Sequence, residues 1–323
     1  MPCIPRPQNE RVNLKQLEYF VSVADLGSFS KAARALDIAQ PALSRQVRAL
    51  ETDLRETLLL RNGRGVALTE AGQRLLDHGH NLLQQVAQVR DEMGARRGEP
   101  AGRIAIALPP SLSRQLTLPL IDGFKRELPK ARLTVVEGLS AHIAEWIATG
   151  RVDMGLLYNP QAQPALEVTP ILEEPLCLVT QRKRGAPNPS RPLPLRELPG
   201  YALVVPERAH AFRRLLESQA TLAGVKLDIA WEVSSIMSIV DLVCAGYGHA
   251  VLTAGAVAAS GRAAELAVRT IGSPRLQSVL CLATSASKRL TPLGRETAAR
   301  LVALARQGHS GPRPGKVKPR SLR

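Results

Sequence analysis

The sequence predicts an α/β protein made of a helical N-terminal part and a larger part in which strands alternate with helices. Three observations carry this. Apolar residues recur at helical spacing as far as about residue 97, the rhythm changes to strand–helix alternation from Arg103, and Gly98-Glu99-Pro100-Ala101-Gly102 interrupts the chain between them. A length of 323 residues leaves room for two or three domains, and 45% apolar residues are ample for their cores. Aromatic residues make up only 3%, so those cores are Leu, Val, Ile and Ala, and a single-strand-binding surface of stacked rings is disfavoured.

Residues 1–12, with three prolines and two arginines, read as an irregular arm. Asn13 caps a helix whose core face is Leu14, Leu17, Phe20, Val21 and Ala24. Ser28 or Ser30 caps a second, short helix with Ala32, Ala33 and Leu36 on one side. Asp37, Ile38 and Ala39 make a tight connection, and Pro41 sits in the first turn of a third helix, where its missing N–H costs nothing. Leu43, Val47, Leu50 and Leu54 form the apolar face of that helix, and Gln40, Ser44, Arg45 and Arg48 form the opposite one. Gln pairs with adenine and Arg with guanine in the major groove, and either arginine reaches phosphate. A short helix, a turn and a second helix with a polar, basic start is the helix-turn-helix plan, although a solvated helix on a small bundle explains that pattern equally well. The apolar runs Leu58–Leu60 and Val66–Leu68 flank Arg61-Asn62-Gly63-Arg64-Gly65 and read as a hairpin, with glycines at the tip and two arginines facing a phosphate backbone. That hairpin is a wing.

With these residues in view, the segment resembles the winged helix-turn-helix of LysR-type transcriptional regulators. The resemblance is carried by Leu14, Leu17, Phe20 and Val23, by Gly27-Ser28-Phe29-Ser30 and Ala32-Ala33, and by Gln40-Pro41-Ala42-Leu43-Ser44. Leu50-Glu51, Arg61, Gly65 and Leu68-Thr69-Glu70-Ala71-Gly72 complete it, and it extends more weakly to about Arg306. It implies a sequence-specific regulator that binds double-stranded DNA. The candidate DNA contacts are Ser30, Lys31, Gln40, Pro41, Ala42, Ser44, Arg45, Arg48, Arg61 and Arg64. Two positions depart from the family. Ala39 stands where Ser often precedes the Gln-Pro pair and cannot cap, and Arg55 stands where Gly often ends the third helix, so a left-handed stop there is strained.

A long helix follows, from Thr69 to about Arg97. Leu75, Leu82 and Val89 recur every seven residues, with Gly72, Gly79, Val86 and Met93 as a companion series, a heptad seam whose glycines let two backbones approach. In the family this is the linker helix that pairs two subunits, which implies a homodimer through residues 70–98 and points to a homotetramer. The winged domain is then 13–69 and the effector domain 101–308.

From Arg103 the reading is βαβαβ: a strand at Ile104–Leu108, a helix through Leu116, Leu120 and Phe124, a strand at Leu133–Val136, a helix from Ser140, and a strand at Met154–Tyr158. A parallel sheet with right-handed crossovers is expected. A further strand over Pro170–Gln181 leaves this lobe, and residues 182–200 form a surface connection. A second alternating set follows: a strand at Leu203–Val205, a helix at Phe212–Ala223, a strand at Leu227–Val233, a helix at Ser235–Ala245 and a strand at His249–Leu252. Val279–Leu282 returns to the first lobe, and Thr291-Pro292 starts the last helix. Two lobes joined by two crossing strands resemble the periplasmic-binding-protein-like effector domain of the family, with lobe I at about 101–173 and 276–308 and lobe II at about 174–275. Ligands of open sheets sit beyond the carboxyl ends of strands, which selects Ser111, Ser113, Ser140, Pro206 and His210 as effector-site candidates. Helix starts at the serines favour an organic anion. The runs Val136-Glu137-Gly138-Leu139-Ser140, Glu145-Trp146 and Tyr158-Asn159 resemble the nitrogen assimilation control branch of the family.

Charge is consistent with a polyanionic partner but does not decide it. The net +15 is distributed as +1 over 1–12, +2 over 13–98, +7 over 99–308 and +5 over 309–323, so the DNA-binding segment is not its main source. The basic, Gly/Pro-rich tail at 309–323 reads as disordered. Cys3, Cys177, Cys244 and Cys281 are too scattered for zinc and read as reduced thiols in a cytoplasmic protein. His78 and His80 lie on different helix faces, which argues against a metal, and Ser140 and His142 lack a third group for catalysis. No cofactor, signal peptide or membrane span is expected. An α/β solute-binding or enzymatic protein with a helical appendage, and an architectural DNA binder indifferent to ligands, remain the alternatives.

Overall fold

The computed structural model describes residues 13–62, 65–94, 100–182 and 191–308. They fall into two units, one within Met1–Gly94 together with Thr149–Arg151 and one within Ala95–Ala148 and Val152–Arg323.

In the first unit Asn13 opens helix α1 (Leu14–Leu26) through a capping box: its side chain accepts from the Lys15 N–H at 2.9 Å while Gln16 reaches back to the Asn13 N–H at 3.3 Å. Ser28, not Ser30, caps α2 (Phe29–Ala35) by accepting from the Lys31 N–H. Helix α3 (Gln40–Leu54) starts at Ala39 without a side-chain cap. A buried cluster of Leu17, Phe20, Val23, Ala32, Leu43, Val47, Leu50 and Leu58 welds the three helices together.

Arg55 does end α3 in the left-handed region, at φ 54° and ψ 33°, with its N–H on the carbonyls of Glu51 and Thr52. For a residue with a Cβ that conformation costs about 1 kcal/mol or more. Arg55→Gly is therefore expected to raise the stability of this unit by about 1 kcal/mol, read as a shift in its urea midpoint with an unchanged slope.

Strands β1 (Leu59–Asn62) and β2 (Gly65–Leu68) pair antiparallel, Arg61 opposite Val66 and Asn62 opposite Gly65. Glu51 on α3 fastens this hairpin, its Oε1 accepting from the N–H groups of Leu58 at 2.9 Å and Leu59 at 3.1 Å. On the other strand the Val66 N–H donates to Gly27 O at 3.0 Å. Gly65 sits at φ 142°, and a Cβ there would lie 2.7 Å from that same Gly27 oxygen, so the site demands glycine. Thr69 caps α4 (Glu70–Gly94), accepting from the Gly72 N–H while its hydroxyl donates to Thr57 O.

Part of the heptad reading of α4, its two glycines and Leu75, needs correction. Gly72 faces the backbone at Leu58 and Gly79 faces Leu17 and Val21 of α1, while Leu75, Leu76 and Leu83 pack on the unit's own core. Those glycines bring α4 close to its own domain rather than to a partner helix. Leu82 and Val89 remain exposed, at 46% and 55%. Met93's side chain and residues 95–99 lie outside the described residues.

The second unit opens with β3 (Gly102–Leu108), α5 (Pro110–Glu127), β4 (Ala131–Glu137), α6 (Ser140–Ala148) and β5 (Met154–Tyr158). The strands β4, β3 and β5 are parallel, as the βαβαβ rhythm requires. The sheet as a whole is mixed. Strand β12 (Gln277–Ser285) re-enters it antiparallel to both β5 and β6 (Leu166–Gln181), because the chain returns from the far lobe rather than through a crossover helix.

Strand β6 is the long crossing element. Leu166–Pro175 pairs with β12, whereas residues 176–181 lie between β10 (Ala250–Thr253) and β11 (Leu266–Gly272) of the second lobe. The second lobe also holds β7 (Leu193–Pro194), β8 (Leu203–Val205), α7 (Ala211–Leu222), β9 (Ile229–Glu232), α8 (Ile236–Cys244) and α9 (Ala254–Ala259). The residues joining β11 to β12 form the second crossing, and α10 (Pro292–Gly308) returns to pack on α5. Among the described residues no helix is long and apolar enough to cross a membrane.

Candidate functional site

Two surfaces carry the chemistry. On α3 the apolar residues Leu43, Val47 and Leu50 are buried, and Gln40, Pro41, Arg45 and Arg48 on the other side are exposed, with Ala42 and Ser44 half-buried. Ser30 and Lys31 stand exposed at the start of α2. Side chains able to bond base edges and phosphates thus lie on the rigid, core-backed start of one helix. For Arg61 the strand backbone is described but not the side chain, and Arg64 lies outside the described residues, as do the arm and the tail.

In the second unit a cavity of about 280 Å³ opens between the lobes. Four helix starts border it: Pro110 and Ser111 of α5, Ser140 of α6, His210 and Ala211 of α7, and Ser235 and Ile236 of α8. Glu137, Leu139, Tyr158, Phe212 and Met237 complete much of the wall. Ser111, Ser140 and His210 are therefore brought together, as the open-sheet rule expects. Ser113 and Pro206 are not among the lining residues. The Ser113 hydroxyl is turned to Thr117 at 3.2 Å, and the Pro206 carbonyl accepts from Arg213 at 3.3 Å. Ser140 does not use its hydroxyl as a cap either, since it accepts from the Tyr158 N–H at 3.0 Å.

Tyr158 ties the lobes through its ring and anchors its hydroxyl on the crossing strand. The ring meets Phe212 edge-on at 4.9 Å, and the hydroxyl donates to the buried Glu174 at 2.7 Å. Burial, then the Glu174 charge, pushes the Tyr158 phenol well above its ordinary range. Sequence reasoning missed Glu137, Tyr158, Ser234 and Ser235. The rule that found Ser111 would have reached them too, since they stand at or just beyond the carboxyl ends of β4, β5 and β9.

His210 caps α7, its Nδ1 accepting from the Phe212 N–H at 3.2 Å. Burial, with the nearby Arg214 charge second, holds its imidazole down at about 4. The unfolded chain protonates this ring near pH 6.5 and the folded chain does not, so stability present above pH 6.5 is lost as the pH falls toward 4. His210→Asn keeps an N-cap acceptor and removes the titration. The wild type is expected to lose about 3 kcal/mol more than this variant between pH 6.5 and 4, measured by urea unfolding.

The described cysteines are held as thiols by the same physics. Cys177, Cys244 and Cys281 are free and buried; burial pushes Cys177 up to about 11 and raises the other two. Among the described residues no cluster of three or more His, Cys, Asp or Glu side chains could hold a metal.

Comparison with known proteins decides the class. Residues 14–73 match the bacterial regulatory helix-turn-helix of the lysR family, and residues 97–308 match the LysR substrate binding domain. The chain belongs to the LysR family. It is a LysR-type transcriptional regulator with a helix-turn-helix and an effector-binding domain. It is 31% identical over 282 residues to the nitrogen assimilation regulatory protein nac of Klebsiella aerogenes, covering 87% of this chain and 91% of that one. Among solved LysR-fold structures, a full-length OxyR variant from Pseudomonas aeruginosa is similar at 22% identity and a TM-score of 0.70, covering 92% of this chain and 95% of the other. Full-length CbnR complexed with its target DNA is similar at 24% identity and a TM-score of 0.64, covering 92% of this chain and all of the other.

Proposed function

We propose that α3 reads an operator in the major groove through Gln40, Ser44, Arg45 and Arg48, that Ser30, Lys31 and the wing arginines hold phosphate, and that a small molecule in the lobe cavity sets the outcome. The observation that carries this reading is the split of α3 into a buried aliphatic face and an exposed polar face on a fixed helix. Exposed Leu82 and Val89 on α4 support pairing of two such chains, which presents two reading helices to two half-sites. CbnR, a LysR regulator of similar fold, has been captured on its target DNA. The work done is binding, not catalysis, and it takes place in the cytoplasm. For the ligand to control transcription it must bind one arrangement of the assembly better than another.

The test is fluorescence anisotropy of the full chain on DNA from upstream of its own gene and on a scrambled duplex. Expected are tighter binding to the upstream DNA and a steep loss of affinity with salt on both. Equal affinity for the two duplexes at every salt concentration overturns sequence-specific reading.

A further inference from the structure

The cavity holds an unusual balance of charge. Its lining, among the described residues, includes one acidic side chain, that of Glu137, and no lysine or arginine. Glu137 is exposed at the end of β4, and no hydrogen-bond partner for its carboxylate is found among the described residues. The starts of four helices share the lining with it, and a helix start carries the positive end of its dipole. A simple anion would suit the helix starts and be repelled by Glu137, and a simple cation would suit Glu137 and be opposed by the dipoles.

His210, the cap of α7, adds a side-chain group to the helix starts. It lines the cavity and is 9% exposed. Its Nδ1 is an acceptor in the α7 cap, so the proton of the neutral ring sits on Nε2. No protein acceptor is found for that Nε2–H among the described residues, and it is open to an acceptor such as a carboxylate oxygen in the cavity. Leu139, Phe212, Ile236 and Met237 give the same cavity apolar wall.

Resting on the reading that this cavity is the effector site, we propose that the effector is a small zwitterion with an apolar portion, its amine facing Glu137 and its carboxylate facing His210 and the helix starts. At about 280 Å³ the space is at the low end for ligand pockets, which suits a compound of amino-acid size.

The experiment is titration calorimetry of the full chain with four probes of one chain length: norleucine, 6-aminohexanoate, hexanoate and hexylamine. At least one of the first two is expected to bind about tenfold or more tightly than hexanoate and hexylamine, the scale of one lost charge-assisted bond. In Glu137→Gln, whose exposed position leaves the fold intact, that preference over hexanoate should disappear. Hexanoate binding as tightly as both amino acids, an undiminished preference in Glu137→Gln, or no binding of either zwitterion overturns the inference. Hydrogen exchange separates this from failure of the cavity reading. A zwitterion that binds but protects amides away from 109–112, 137–140, 210–212 and 234–237 refutes the site, whereas a plain acid that protects them refutes only the zwitterion.

Discussion

Gly72→Ala will destabilise the N-terminal unit by about 3 kcal/mol and lower operator affinity with it. A Cβ built on Gly72 falls 2.1 Å from the carbonyl oxygen of Leu58, 3.0 Å from its carbon and 3.1 Å from Leu68 Cδ2. The first two are backbone atoms and cannot rotate aside. That same Leu58 oxygen accepts from the Thr69 N–H at 3.0 Å and from the Thr69 hydroxyl at 3.2 Å, so moving it loosens the cap of α4 and the root of the wing together. Gly79→Ala is the control on the same helix. Its Cβ would meet Val21 Cγ2 at 3.0 Å and Leu17 Cδ1 at 3.2 Å, side-chain methyls that need shift by only a few tenths of an ångström rather than backbone. The gain in helix propensity, about 1 kcal/mol, offsets that crowding. Urea unfolding followed in the N-terminal unit should separate the two variants widely. Equal effects would mean that the chain at Leu58 yields freely and that the Thr69–Gly72 junction is not rigid.

This junction illustrates how unevenly the sequence discloses its physics. The periodicity of Leu43, Val47 and Leu50 is local, and it placed the buried and exposed faces of α3 correctly because a helix has only one way to hide three aliphatic residues. The glycine series on α4 has the same local form, yet its meaning lies in what stands opposite. Leu58 and Val21 occupy the space that a partner helix was expected to fill. In the second unit the parallel strands β3 to β5 were readable from alternation, but β11, α9 and the antiparallel entry of β12 were not. Ala254–Ala259 is too short and uniform to show a period, and strand direction after a lobe crossing is set by tertiary closure. For the cavity, Ser111, Ser140 and His210 followed from strand ends, but the hydroxyl of Ser113 was aimed by Thr117 one turn along the helix, which spacing alone does not rank.

Arg45→Ala should cost about 1–3 kcal/mol on the operator, roughly 5- to 150-fold in affinity, and little on scrambled DNA. Arg45 lies exposed, one turn after Pro41, on a helix whose reverse side is locked by Leu43, Val47 and Leu50, so its guanidinium is offered from a fixed base. A planar fork held in this way bonds two acceptors on guanine and discriminates against the other bases. Lys31→Ala provides the contrast. Lys31 is exposed in the first turn of the preceding helix, which in this plan crosses the backbone, and an ammonium there meets phosphate as a point charge. Its loss should weaken both duplexes about equally and reduce the slope of log affinity against log salt by about 1. A pair of salt titrations on the two duplexes with the two variants reads all of this. If Arg45→Ala lowers both duplexes alike and flattens the salt slope as Lys31→Ala does, Arg45 faces phosphate, and base reading must come from Gln40 or Arg48 instead.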